Sequence, residues 1–233
     1  MSSKTFPSLN LEKQLWAAGS RFVIGMDEVG RGAIAGPVAV GVAIIDREDP
    51  RAQSPWPAQL CDSKMISEKV RNQIVESVAG WVSGSAVGMV SAAEIDARGI
   101  VAALAGAGAQ ALDLLLAAPH LRAQIVEHGA TIILDGSHNW LGDMASGIPV
   151  IVQTKADRDC VSVAAASVIS KVARDNLMIS LAEKVPGYLF EGHKGYASEA
   201  HIGALKTLGP SPEHRITWLT KILAGGQLTG LGE

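Results

Sequence analysis

The sequence predicts an α/β domain, with α+β as the neighbouring possibility. Strand-like apolar stretches alternate with helix-like ones along the chain. Hydrophobic residues make up 48% of the 233 positions and charged residues only 18%. That is enough apolar material for a sizeable core, and too little charge for a disordered chain. No repeat or low-complexity linker interrupts the pattern, so it reads as one continuous domain with a C-terminal extension.

In chain order, residues 1–19 form an N-terminal segment whose helix covers about Asn10 to Ala18. Gly19 follows as a left-handed C-terminal cap. RFVIGMDE and PVAVGVAII read as two strands joined by a glycine-rich connection of hairpin type. SEKVRNQIVESVAGW carries Ser67 as N-cap and apolar positions at helical spacing. SGSAVGMVSA has the composition of a third strand. An alanine-rich helix from about Ile100 to Leu116 is closed by Pro119. ATIILDG and IPVIVQTKAD are buried strands by their β-branched content, each ending on an aspartate. A second alanine-rich helix, about Cys160 to Lys184, completes a core over residues 20–185. The segment 186–224 is richer in Gly, Pro and His, with helices near Glu199 to Leu208 and Trp218 to Ala224. Residues 225–233 read as a flexible tail.

Several classes of protein fit poorly. No uninterrupted apolar run reaches the roughly 18 to 20 residues of a membrane helix, so no membrane association is expected. The first sixteen residues, MSSKTFPSLNLEKQLW, contain a lysine but no apolar core of a secretory signal. Cys61 and Cys160 cannot build a disulfide framework and lie in no metal-ligand spacing, so both are expected as buried thiols of a cytoplasmic protein. The formal net charge of -3, with no long Lys/Arg run, counts against a protein that simply coats DNA. An enzyme that grips nucleic acid locally remains compatible with it.

The acids supply the sharper signal. Three predicted strands end in carboxylates: Asp27-Glu28, Asp135 and Asp157. The matching ends of neighbouring strands lie within a few strand spacings. Four carboxylates converging there would repel strongly unless cations occupied the site. Hard divalent ions suit all-oxygen ligands, and a pair of them is the standard apparatus for in-line phosphodiester attack by water. A single aspartate at such a place is more often a turn or cap residue. Asp159 fits that role, standing directly before CVSVAAASVISKVARD as an N-cap, which leaves Asp157 for chemistry. The small residues of that run (Ala164, Ala165, Ala166, Ser167, Ser170) let a helix lie close to a sheet.

Gly30, Arg31 and Gly32 follow the first two acids. Glycines let the backbone approach a sugar or phosphate, and arginine takes a phosphate bidentately. Taken alone, the triplet also fits a solvated turn.

Two rival classes fit less well. AGAGAQA (105–111) approximates a dinucleotide-binding fingerprint, but its flanks continue one alanine-rich helical pattern where a strand-to-helix turn is required. A binding module without chemistry would need the carboxylates for structure alone.

The chain resembles the ribonuclease HII family, type 2 ribonucleases H. The resemblance is carried by DEVGRGAIAGP (27–37), CDSKMIS (61–67), ILDG (133–136), KADRDCVSVAAASVISKVARD (155–175), HKGYASEAH (193–201) and LGPSPEHR (208–215), in matching order and spacing. It implies a ribonuclease H-like fold: a mixed five-stranded sheet flanked by helices, with a C-terminal helical segment closing over the substrate. It implies cleavage of RNA in RNA–DNA hybrids and incision 5′ of single ribonucleotides embedded in duplex DNA. The products would carry 3′-hydroxyl and 5′-phosphate ends, and Mg2+ or Mn2+ would be the cofactor. It assigns metal binding and catalysis to Asp27, Glu28, Asp135 and Asp157. Gly30, Arg31 and Gly32 would read the 2′-hydroxyl at the RNA–DNA junction, the group that separates the two sugars. Tyr196 would stack on the neighbouring deoxyribose, and Ser63 and Lys64 would contact a phosphate. A monomer in the cytoplasm is the expected setting. The chain departs from the usual motifs at Ala33, in GYAS, and in HRITW, where a basic residue is missing and the role of Arg215 is left open.

Beyond these, Lys155, Lys171 and Arg174 are candidates for a substrate groove. His193, His201 and His214 look too dispersed for a metal site, and Trp140 reads as a packing residue.

Overall fold

The computed structural model describes residues 6–61 and 63–223. Five strands form one sheet: β1 (Phe22–Val29), β2 (Val38–Asp46), β3 (Gly84–Val90), β4 (Ala130–Asp135) and β5 (Val150–Gln153). Their spatial order is β3-β2-β1-β4-β5. β1 pairs antiparallel with β2, and β2 antiparallel with β3. β1, β4 and β5 run parallel, so the sheet is mixed. Among the described residues the α-helices are α1 (Asn10–Ala17), α2 (Glu68–Trp81), α3 (Ala92–Arg98), α4 (Ile100–Leu115), α5 (Pro119–His128), α6 (Ala156–Asp159), α7 (Val161–Lys184), α8 (Phe190–His193), α9 (Glu199–Leu208) and α10 (Ile216–Leu223).

The strands read as nearly continuous apolar runs because both faces of the sheet are covered. Alternation still sorts the side chains. Phe22, Ile24 and Met26 of β1 join Val38, Val40, Val42 and Ile44 of β2 in a core with Leu104, Ala107 and Leu112 of α4. Val23, Ala43, Ile45 and Ile133 face the other way, into a core with α1, α2 and the first half of α7. Gly25 shows how close α7 comes: a Cβ there would collide with the backbone of Ser162. Small residues on both partners therefore set the distance between α7 and the sheet.

A third cluster joins Ile34 and Ala35, Met178 and Leu181 of α7, and Tyr188, Phe190, Leu205, Leu219 and Ile222 of the C-terminal segment. The C-terminal helices are thus seated on the β1–β2 connection, residues 30–37.

Most expected elements are present. Ser67 caps α2 by accepting from the Val70 amide, and Gly19 lies at φ +112 just past α1. AGAGAQA lies inside the continuous helix α4, which removes the dinucleotide-binding alternative. Cys61 and Cys160 are both buried, and Trp140 is buried in the α4-side core.

Four expectations need correction. Pro119 does not merely stop a helix; it occupies the first turn of α5, where its missing N–H costs nothing. The third strand stops at Val90, because Ser91 and Glu94 form a capping box that starts α3. β5 ends at Gln153, so Asp157 stands in α6 and not on a strand end. Asp159 is likewise within α6 and is not the N-cap of α7; that position is Cys160, which makes no side-chain cap. The cap comes from a distance, as Glu12 of α1 accepts from both the amide and hydroxyl of Ser162 at 2.9 Å.

The last helix begins at Ile216, earlier than expected, while Ala224 and the tail 225–233 lie outside the described residues. Among the described residues no single helix is long and apolar enough to cross a membrane.

Candidate active site

β1 and β4 are adjacent and parallel, and their last registered pair is Met26 with Leu134. The next residues along each strand are Asp27 and Asp135, so the two carboxylates come from neighbouring strand ends on one face of the sheet. In folds of this kind ligands bind at the carboxyl ends of parallel strands. Glu28 adds a third carboxylate. One oxygen from each of Asp27, Glu28 and Asp135 lies within 4.8 Å of the others. Asp157 is not part of that close group. It approaches from α6, is buried, and is near enough for its charge to act on Asp27.

The surroundings hold this arrangement in place. The Glu28 amide donates to Asp27 Oδ1 at 2.8 Å. The Ala156 amide donates to Asp135 Oδ1 at 2.7 Å, so Asp135 fastens the start of α6 to the end of β4. Lys155, just before, adopts φ +60 to make the turn. Arg31 approaches Glu28 at 3.5 Å, and Lys64 Nζ lies 3.7 Å from Asp157 Oδ2.

Burial and the neighbouring charges of Glu28, Asp135 and Asp157 push the Asp27 carboxyl well above its ordinary range, against a smaller opposing hydrogen bond from Ser167. Glu28 is also raised, chiefly by burial, with Arg31 opposing. Glu28 Oε2 is buried and has no hydrogen-bond partner among the described residues. Such an orphaned oxygen, in a cluster of acids that repel one another, fits a hard divalent cation. The donor set is all oxygen, as Mg2+ and Mn2+ prefer.

The expected substrate residues fall around this cluster. Gly30, Arg31 and Gly32 turn directly out of β1, with Gly30 at φ +80. Lys64 is 79% exposed at its side chain. Ser63 beneath it is buried, its hydroxyl 2.9 Å from that of Ser167. Tyr196 is 37% exposed, and its ring lies over the Arg174 guanidinium at 5.6 Å.

Other residues are not where the sequence suggested. Arg174 does not line a groove: it is fully buried. Lys171 is committed to Asp175 at 2.6 Å, whereas Lys155 is exposed. Arg215 is also fully buried and donates to the carbonyls of Gly30, Arg31 and Gly36. The three histidines converge: His193 and His201 stack at 4.2 Å, and His201 Nε2 lies 3.0 Å from His214 Nε2. The signals for Arg174 and Arg215 were present only as arginines inside motifs, and arginine is normally a surface residue.

A mixed five-stranded sheet with carboxylates gathered at the ends of its two central parallel strands defines a metal-dependent nuclease of the ribonuclease H class. The family model for ribonuclease HII matches residues 24–221. Ribonuclease HII of Streptomyces avermitilis is 40% identical over 91% of this chain and 83% of its own length. That of Thermus thermophilus is 37% identical over 88% and 89%. The crystal structure of ribonuclease H2 from Pyrococcus horikoshii superposes with a TM-score of 0.67, at 26% identity, over 88% of this chain and 98% of the other. A ribonuclease HIII solved with Mn2+ (Bst-RNase HIII) shares the fold at a TM-score of 0.63 and 22% identity, over 89% and 70%. The chain belongs to the ribonuclease HII family, and is therefore an enzyme with ribonuclease H activity toward RNA–DNA hybrids.

Proposed function

We propose that the protein is an endoribonuclease that cuts the RNA strand of RNA–DNA hybrids and incises 5′ of single ribonucleotides embedded in duplex DNA. The observation that carries this is the grouping of Asp27, Glu28 and Asp135 within 4.8 Å, directly continuous with the Gly30-Arg31-Gly32 turn. Asp27, Glu28, Asp135 and Asp157 would hold two divalent cations, Mg2+ or Mn2+. When bound, such ions supply an activated water and stabilise the leaving oxygen of an in-line displacement, leaving 3′-hydroxyl and 5′-phosphate ends.

The chain's own residues do the rest. Oxygens of Asp27, Glu28 and Asp135 converge within 4.8 Å, and with Asp157 nearby these carboxylates cannot all stay charged there alone. The backbone of Gly30, Arg31 and Gly32 comes close to the junction sugar and reads its 2′-hydroxyl. Tyr196 stacks on the next deoxyribose, whose lack of a 2′-oxygen leaves room for the ring. Lys64, with Ser63 supporting its turn, meets a phosphate. Residues 20–185 act as the catalytic core and 186–224 as the segment that closes over substrate. The protein works as a monomer in the cytoplasm, within ribonucleotide removal from DNA.

The test is a DNA duplex containing one ribonucleotide, incubated with Mg2+ or Mn2+ and then with excess chelator. The expected result is a single metal-dependent nick 5′ of the ribonucleotide, with all-DNA duplex left intact. Retained binding without any nick in either metal would count for a binding module.

A further inference from the structure

Two fully buried arginines have no carboxylate within ion-pair distance among the described residues. Arg174, on α7, donates to the carbonyls of Pro37 at 2.8 Å, Lys194 at 2.9 Å and Ala35 at 3.2 Å. Arg215 donates to Gly30 at 2.7 Å, Arg31 at 2.8 Å and Gly36 at 3.2 Å. A buried cation is costly unless hydrogen bonds satisfy it, and here backbone carbonyls do so. Five of those six carbonyls belong to the connection 30–37 that follows Asp27 and Glu28.

The consequence for that connection is geometric. In a trans peptide the N–H points opposite to the C=O. Holding the carbonyls of Gly30 and Arg31 on Arg215 therefore turns the amides of Arg31 and Gly32 away from the protein. Neither amide meets a protein acceptor among the described residues. Gly30 also rests on the other arginine: a Cβ there would collide with Arg174 Nε.

Arg174 reaches the tyrosine as well. Its guanidinium lies 5.6 Å from the centre of the Tyr196 ring and holds the carbonyl of Lys194 two residues before. Amides of Ile34 and Ala35 donate to Gly195. The Tyr196 carbonyl accepts from His201 Nδ1 at 2.8 Å. One guanidinium thus touches both the glycine turn and the tyrosine.

We propose that Arg174 and Arg215 are positioning residues that fix the separation between the Gly30–Gly32 amides and the Tyr196 ring, and so set the preference for a ribonucleotide followed by a deoxyribonucleotide. This rests on the junction-reading roles proposed above. A continuous hybrid presents a ribose at every position of the cut strand and depends less on that separation.

The experiment compares kcat/KM on a single-ribonucleotide duplex with kcat/KM on a continuous RNA–DNA hybrid. Arg174→Lys and Arg215→Lys keep the charge but lose the planar fork. Leu112→Ala, in the core on the opposite face of the sheet, serves as a variant that loses stability alone. Both lysine variants should lower the single-ribonucleotide to hybrid ratio on the order of tenfold or more, the scale of a misplaced binding group. Leu112→Ala should keep the wild-type ratio. Equal losses on both substrates in the lysine variants, or none, would overturn the proposal. If Arg174→Lys does not fold, Arg215→Lys carries the same comparison. Wild-type protein that cuts hybrids but not the single-ribonucleotide duplex would instead refute the junction-reading roles, before any variant is made.

Discussion

Asp135 has two tasks that one substitution can separate. It is one of the three clustered carboxylates, and its Oδ1 accepts the Ala156 amide. Asparagine keeps an acceptor oxygen of the same shape while removing the charge. In Asp135→Asn the join between β4 and α6 should therefore survive, and repulsion on Asp27 and Glu28 should fall. We expect thermal stability without metal to match or exceed wild type. Hydrolysis should drop roughly 100-fold or more, as when one electrostatic stabiliser is removed from an active site. Near-wild-type turnover, measured beside a melting curve, would take Asp135 out of the metal-binding set. Asp27, Glu28 and Asp135 were legible in the sequence because they stand at the end of the apolar runs of β1 and β4. Arg174 and Arg215 were not, because nothing local tells a solvated arginine from one whose donors meet carbonyls of a remote loop.

Among the elements, strands and long helices were legible where periodicity and caps agreed, as with β1, β2 and α2. Two of the misreadings share one cause: a local signal with two meanings. Pro119 stops one helix and starts the next, and Ser91 ends a strand while capping α3. The histidine cluster was hidden for a different reason. His193, His201 and His214 are separated in sequence, and only the fold of α8, α9 and the following turn brings them together. The hydrogen bonds fix their protons. The Ser211 amide donates to His214 Nδ1 at 2.9 Å, so His214 donates from Nε2 to His201 Nε2. His201 in turn donates from Nδ1 to Tyr196. Both rings are therefore neutral in the native state. Burial pushes His201 from 6.5 down to about 4. The unfolded chain binds a proton below pH 6.5 that the folded chain refuses until about pH 4. Stability from this residue is thus complete above pH 6.5 and is lost as pH falls toward 4, by roughly 3 kcal/mol in all. His201→Gln should be less stable than wild type at about pH 8. The gap between the two urea midpoints should narrow steadily between about pH 6.5 and 4.5. A gap that does not change with pH would mean that His201 titrates alike in both states.

At the scale of the whole molecule, the site is a place where the fold is locally unfavourable. Two helical layers and a mixed sheet bury Asp27 and Asp157 and half-bury Glu28 and Asp135 beside them. The native state, and not the unfolded chain, presents them together. A divalent cation that binds this cluster must therefore stabilise the whole domain, independently of catalysis. At a metal concentration about 100 times the dissociation constant the gain is about 2.7 kcal/mol. For a chain of this size each kcal/mol moves the melting temperature by about 2–4 °C, so Mg2+ or Mn2+ should raise it by roughly 5–10 °C. Chelator should reverse the shift, and monovalent salt of equal ionic strength should not reproduce it, since screening acts weakly on buried charge. Asp135→Asn should melt as high as wild type without metal and gain much less on adding it. The opposite pattern, an unchanged melting point at concentrations that fully support cleavage, would place the working ions on the substrate phosphates and not on these four side chains.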